Sequence, residues 1–184
     1  NYNKFFICKR SSIEELKNDL KIKPSEKVIG YIGSISSLYM VEEMLLFFSE
    51  LISQKLNYKF LILTNQVDKI NSIIKDFEEK SFSMKELIII KSVDENNINN
   101  YINIFDASLC FVRSTFARIA SSPTKIGESF ACGVPIICNK NVGDLNSLLP
   151  KIQKIGLHDF SNKKNMNTVN IVLSDDCMII EEIL

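Results

Sequence analysis

The chain has 184 residues, enough for one domain with a sizeable core, and its 46% hydrophobic and 24% charged content is typical of a globular protein rather than a disordered one. Its 22 basic and 22 acidic residues cancel, so the net charge does not indicate nucleic acid or an anionic membrane as a partner. No apolar run reaches membrane-spanning length and no signal peptide is recognisable, but the chain starts without Met and is expected to continue upstream.

The predicted elements alternate along the chain between strands and helices. Residues 1–26 form a mixed segment with a short FFIC stretch and an amphipathic helix over 12–20. Apolar runs predict strands at 27–32, 58–63, 87–90, 107–112, 134–138 and near 155–157. Apolar residues at helical spacing predict helices at 41–56, 67–80, 95–105 and 122–132, and a helical end to the chain.

This alternation indicates the fold class. Strands that are apolar throughout and are separated by helices belong to a parallel sheet buried on both faces. We therefore predict an α/β fold, an open doubly wound parallel sheet of Rossmann type, with 1–26 as a preceding segment and 27–184 as one domain. Ligands of such sheets bind beyond the carboxyl ends of the strands, so the residues that follow each strand are candidates for the site.

The cysteines and the single histidine offer little chemistry. The five cysteines are odd in number and form no C-x-x-C pair, which favours small buried side chains in a reducing cytoplasm over metal or redox work. His158 alone supports neither a zinc site nor a His-based triad, and it is expected in a loop or at a strand edge. We predict no metal site.

Two strand-to-helix junctions give weak signals. Gly33 and Ser34 follow the first strand, where a glycine lets the backbone approach a phosphate, although a tight turn favours glycine equally. The absence of G-x-G-x-x-G disfavours a dinucleotide site. Val93 and Asp94 follow the third strand, and this junction could form the edge of a pocket for a planar base, but the sequence favours an ordinary turn in which Asp94 caps the next helix.

The stretch SSPTKIGESFACGVPIICN gives the strongest signal. Ser122 suits the N-cap of a helix and Pro123 its first position, with Thr124 and Lys125 in the first turn. A helix N-terminus carries about half a positive charge, and Lys125 adds a full one, which suits a diphosphate. Glu128 lies one turn on, where a carboxylate could accept hydrogen bonds from ribose hydroxyls; the alternative is a solvent-exposed Lys–Glu pair of little energetic consequence.

At this point the sequence resembles a known family. The pattern Ser-Pro-Thr-Lys-x-Gly-Glu-x-x-Ala-x-Gly-x-Pro-x-Ile, residues 122–137, is similar to the signature of retaining GT-B glycosyltransferases of the large family 4, also called group 1. The similarity extends to YIGSISSLYMVEEMLLFF and to NVGD, and it covers most of residues 27–144. This signature is specific for the superfamily and carries little information about the substrate.

The resemblance implies a donor site without a metal. Lys125 would hold the diphosphate of a UDP- or GDP-linked sugar and Glu128 its ribose, and these two are the residues of the catalytic centre. The sugar nucleotide is the substrate, and no separate cofactor is implied. The other donor-binding residues that it implies are Gly33, Ser34, Val93, Ser122 and Thr124, with Gly143 and Asp144 beside the transferred sugar.

Several positions depart from the family's pattern. Many members carry another glutamate eight positions before the ribose-binding one, where this chain has Ala120. Many also have an Arg and a Lys after the first strand, where this chain has Ser34 and Tyr39. Arg113 or Arg118 would supply the missing charge, or both are surface residues. These departures leave the choice of donor sugar and full activity open.

GT-B enzymes consist of two facing Rossmann-like domains, and this chain resembles only the carboxyl-terminal, donor-binding one. The acceptor domain is therefore expected in a missing amino-terminal part or in a partner chain, and this fragment alone is expected to transfer nothing. The resemblance implies a polysaccharide or glycoconjugate acceptor and a cytoplasmic enzyme, with peripheral association at the inner face of the membrane open to the full-length protein.

Three other functions are alternatives to a donor-binding domain. A non-catalytic nucleotide-sugar-binding subunit of a two-chain enzyme is favoured slightly by Ala120. A GT-B epimerase would need acid–base residues that the sequence does not offer. A phosphate-receiver domain is rejected because Gly33 and Ser34 stand where it would need acidic residues.

Overall fold

A computed structural model describes residues 4–80, 83–113 and 124–139 and the backbone of 156–158. The strands in this part of the chain are β1 (Lys27–Ile32), β2 (Tyr58–Leu63), β3 (Ile88–Lys91), β4 (Ala107–Cys110), β5 (Ile136–Asn139) and β6 (Gly156–His158). The helices there are α1 (Arg10–Asp19), α2 (Val41–Ser53), α3 (Val67–Glu78), α4 (Ile98–Ile102) and α5 (Thr124–Ala131). The six described strands form one parallel sheet in the order β3-β2-β1-β4-β5-β6.

The sheet is buried on both faces because alternate residues of its central strands enter different cores. Ile29 and Tyr31 of β1 pack on one face with residues of α2 and α3. Val28 and Ile32 pack on the other face with residues of α1 and α4. The predicted open, doubly wound parallel sheet is therefore confirmed.

The strand order places a switch point at the centre of the sheet. From β1 the chain proceeds through β2 to β3 at one edge, and it then returns to place β4, β5 and β6 on the other side of β1. Ile29 and Gly30 of β1 are paired with Ala107 and Ser108 of β4. Crevices for ligands form at such switch points, beyond the carboxyl ends of the two strands.

Residues 4–8 lie along α4 and are held there by two buried amide side chains. The backbone N–H of Phe6 donates to Asn99 Oδ1 at 2.9 Å, and that of Cys8 donates to Asn103 Oδ1 at 2.7 Å. Asn103 Nδ2 donates in return to the Phe6 carbonyl at 2.9 Å. The segment is thus bound through its backbone, while the side chain of Phe6 remains 55% exposed.

The prediction that Asp94 caps the helix after β3 is wrong. α4 begins at Ile98, three residues later than predicted, with Asn97 at its N-cap position and no side-chain cap. Asp94 instead takes part in a turn, in which its carbonyl accepts a hydrogen bond from the N–H of Asn97 at 3.0 Å. A single asparagine-rich turn of helix therefore replaces the longer helix expected over 95–105.

Of the four cysteines in the described residues, Cys110, Cys132 and Cys138 are buried, as predicted from the sequence, whereas Cys8 is only half-buried. Burial raises the pKa of Cys132 to about 11 and that of Cys110 and Cys138 to about 12, so their thiols are protonated and unreactive at neutral pH. Cys177 and the predicted helical end of the chain lie outside the described residues. None of the helices in the described ranges combines the length and the apolar character that crossing a bilayer requires.

Candidate nucleotide-sugar site

A cleft of about 360 Å³ opens beyond the carboxyl ends of β1, β2 and β3. Its lining includes Gly33, Ser34 and Val93, three of the residues that the sequence analysis selected. The remaining lining residues are Ile32, Leu63, Thr64, Asn65, Gln66 and Ile98. The structure thus brings two separate junctions of the chain to one cleft at the expected edge of the sheet.

The polar wall that follows β2 was missed by the sequence analysis. Gln66 Oε1 accepts a hydrogen bond from the N–H of Ile35 at 2.5 Å, which ties the loop after β2 to the loop after β1. Ser92 Oγ donates to Asn65 Oδ1 at 2.7 Å, which ties it to the loop after β3. The position of these residues directly after a buried strand is a signal that could have identified them.

Lys125, in the first turn of α5, does not line this cleft itself but lies against Gly33, which does. A Cβ built on Gly33 would lie only 2.3 Å from Lys125 Nζ, so the ammonium occupies the space that a side chain would take there. Gly33 itself has a φ of +155°, a conformation that residues with a Cβ rarely adopt. The positive charge expected to bind a diphosphate therefore lies directly against the backbone of Gly33, in the space that a side chain would take.

Two tyrosine rings flank the same ammonium group. Lys125 Nζ lies 3.7 Å from the centroid of the Tyr39 ring and 5.8 Å from that of Tyr31, both within the range of a cation–π contact. The Tyr31 hydroxyl donates to the carbonyl of Ser34 at 2.8 Å, which fixes the loop after β1. In the sequence, Tyr39 stands out only as a departure from a cationic position, because sequence spacing does not reveal a contact between residues so far apart in the chain.

Glu128 is half-buried one turn after Lys125. The salt bridges within the described ranges do not include a Lys125–Glu128 pair, so the alternative of an exposed ion pair does not describe these two side chains. Burial raises the pKa of the Glu128 carboxyl, while the charges of Lys125 and Lys4 act in the opposite direction. A half-buried carboxylate is stabilised by any hydrogen-bond donor, such as a hydroxyl, that a ligand places beside it.

Glu128→Gln is expected to raise the melting temperature at pH 7, by about 1–2 °C. A raised pKa means that the folded state holds the proton more tightly than the unfolded state, so the wild type loses stability as the pH rises through the pKa of the folded carboxyl. The neutral amide avoids this loss. Thermal unfolding of both proteins at pH 4 and pH 7 measures the effect. If the difference in melting temperature between the two proteins is as large at pH 4 as at pH 7, the raised pKa of Glu128 is contradicted.

Of the other predicted site residues, two lie in the described part of the chain and do not line this cleft, and the rest lie outside that part. Thr124 is exposed in the first turn of α5. Arg113 is exposed at the rim of a second cleft of about 380 Å³, which it shares with Ser36, Ser37 and Tyr39. Four predicted residues, together with the departure at Ala120, lie outside the described residues: Arg118, Ser122, Gly143 and Asp144. Within the described ranges, no group of three or more His, Cys, Asp or Glu residues is placed to hold a metal ion.

No family model matches the sequence, and no curated protein matches it. Solved structures do match its fold. A sucrose-phosphate synthase from Thermosynechococcus elongatus is 14% identical, with a TM-score of 0.55 over 83% of this chain and 36% of that one. Anabaena HepE in complex with UDP-glucose is 13% identical, with a TM-score of 0.61 over 78% of this chain and 37% of that one.

A third match is itself a single domain. The C-terminal domain of a glycosyl transferase group 1 family protein, LpcC from Francisella tularensis, is 15% identical, with a TM-score of 0.57 over 77% of this chain and 70% of that one. Identities this low establish the fold alone, which is that of the Rossmann-like domains of GT-B glycosyltransferases. The chain spans only 36% and 37% of the length of the first two proteins.

Proposed function

We propose that this chain is the donor-binding, carboxyl-terminal domain of a GT-B glycosyltransferase of family 4. The full enzyme would move a sugar from a UDP- or GDP-linked donor to a polysaccharide or glycoconjugate acceptor, with retention of configuration and without a metal. The observation that carries the proposal is the position of the Lys125 ammonium against Gly33, at the edge of the cleft beyond β1, β2 and β3.

The chemistry follows from the charge that develops at this edge. When the bond between the anomeric carbon and the donor phosphate breaks, negative charge accumulates on the leaving diphosphate. Lys125 and the N-terminus of α5 offer a full and a partial positive charge where that charge would form, and this stabilises the transition state more than the ground state. No proton transfer to the diphosphate is needed.

The remaining contacts orient the donor. Glu128 accepts hydrogen bonds from the ribose hydroxyls, and the resulting contacts compensate for its burial. The backbone at Val93 faces the base, since Val93 lines the same cleft as Gly33 and Ser34. Two structural neighbours, HepE with UDP-glucose and HepE with UDP and glucose, have this fold and were solved with such ligands, which supports a nucleotide-sugar as the ligand class.

The acceptor site belongs to another domain in this proposal. The chain spans about a third of the length of several matched glycosyltransferases, including 36% of WaaG, a glycosyltransferase involved in lipopolysaccharide biosynthesis. We place the full enzyme in the cytoplasm. A second proposal is a non-catalytic nucleotide-sugar-binding subunit of a two-chain enzyme, which the alanine at position 120 favours.

Isothermal titration with UDP, GDP and CMP tests the proposal. We expect selective binding of UDP or GDP, with binding strongly weakened in Glu128→Ala because the ribose loses its acceptor. Glu79→Ala, at the C-cap of α3, is a matched control that should bind like the wild type. Binding of none of the three nucleotides would contradict both versions of the proposal. Transfer activity of this chain joined to an acceptor domain would then separate the transferase from the non-catalytic subunit.

A further inference from the structure

The Lys125 side chain is held by a ring rather than by a counter-ion. Its ammonium lies 3.7 Å from the Tyr39 ring centroid. In the part of the chain that the structure describes, none of the salt bridges involves Lys125. A carboxylate would hold the lysine by neutralising it, whereas an aromatic ring attracts the cation and leaves its full charge available to an anion.

Tyr39 is itself fixed by its backbone. It forms an antiparallel bridge with Val112, beyond β4, and its N–H donates to the Ser36 carbonyl at 3.1 Å. The next N–H, that of Met40, donates to the Phe111 carbonyl at 3.1 Å. The loop after β1 is therefore attached to the chain beyond β4, directly across the switch point of the sheet.

The ring of Tyr39 is also oriented by a neighbour. It packs edge-on against Tyr31, with the centroids 6.1 Å apart and the planes at 64°. Tyr31 is buried in β1, and its hydroxyl donates to the Ser34 carbonyl. The two rings and the bare backbone of Gly33 thus surround the ammonium on three sides, all of them uncharged.

We propose that Tyr39 is a positioning residue that holds the Lys125 ammonium over Gly33 so that it meets a bound diphosphate. This inference rests on the proposed function, and it gives a role to a residue that replaces a cation in the family's pattern. Tyr39 does not touch the diphosphate itself. Its removal would leave the charge of Lys125 in place and free the long side chain to leave the cleft, at a cost in side-chain entropy on binding.

A double-mutant cycle tests the inference, with UDP as the probe and isothermal titration as the measurement. Tyr39→Phe keeps the ring and is expected to bind UDP within about twofold of the wild type, whereas Tyr39→Leu is expected to bind about fivefold more weakly. In a Lys125→Met background, Tyr39→Leu is expected to cause no further loss, because the two residues act through one contact. Phe77→Leu, at the far end of α3, is the matched control for loss of a half-buried ring.

The outcomes separate the inference from the function on which it rests. Equal UDP affinity of Tyr39→Leu and the wild type would overturn the inference alone. The inference would also be overturned if Tyr39→Leu lowered the UDP affinity equally in the wild type and in the Lys125→Met background. An equal loss of UDP affinity in Phe77→Leu would overturn it too, because both results indicate a general structural effect. If the wild type binds neither UDP nor GDP, the proposed function fails and the inference fails with it. Circular dichroism of each variant confirms that it folds.

Discussion

Lys125→Met is expected to weaken the binding of a nucleoside diphosphate about thirtyfold, the range in which the loss of a charge-assisted hydrogen bond falls. The methionine keeps the length of the side chain and its contact with the tyrosine rings but removes the charge. The effect is large because the ammonium lies beside Gly33, which lines the cleft, with no carboxylate paired to it among the described ion pairs.

Titration of UDP and GDP into the wild type and the variant measures this loss. Lys75→Met, in the last turn of α3, removes the charge of an exposed lysine that does not line the cleft and should leave the affinity unchanged. The affinity of the wild type should also fall as salt is added, more steeply than that of Lys125→Met. Equal losses in the two variants would show that overall charge, and not this site, attracts the nucleotide.

Gly30→Ala is expected to lower the free energy of unfolding by about 3 kcal/mol, the largest effect on stability that we expect from so small a change. A Cβ at this position of β1 would lie 2.1 Å from a ring carbon of Phe105, a distance that no side chain can occupy without movement. Phe105 is itself buried against the sheet in the chain before β4, so its ring has little room to yield.

The same substitution elsewhere in the chain provides the control. Gly127 is exposed in α5, and a Cβ there would meet nothing within 4 Å. Gly127→Ala is therefore expected to stabilise the protein by about 0.5–1 kcal/mol through helix propensity. Urea denaturation of the three proteins gives both values. If Gly30→Ala matches the wild type in its midpoint and slope, the ring is not packed against this strand.

The central strands of the sheet were predictable because the residues that define them are neighbours in the sequence. β1 and β2 have the predicted bounds, since each is a mostly apolar run that is followed directly by a glycine or a polar residue, Gly33 after β1 and Thr64 after β2. Helix ends were predicted less well. α2 ends at Ser53 rather than at residue 56, because Lys55 adopts a φ of +61°, which no helix continues through.

The contacts between distant segments could not be read from the sequence. The region over 95–105 has a helical pattern, yet Asn99 and Asn103 use their amides to hold residues 4–8, more than ninety positions earlier in the chain. The cleft was predictable in outline, since Gly33 and Val93 follow strands of a parallel sheet. The contact of Lys125 with Tyr39 was not, because an aromatic residue in a loop gives no sign of what its ring will face.

The attachment of residues 4–8 to α4 places the charge of Lys4 where it acts on Glu128. Lys4 forms an ion pair with Glu95, and both charges act on the Glu128 carboxyl. Lifting the segment away would remove the cation and leave the anion, and the loss of the cation would raise the pKa of Glu128, whereas any loss of burial would lower it. A displacement at the amino-terminal end of the described chain would thereby alter the electrostatic surroundings of the group proposed to hold the ribose.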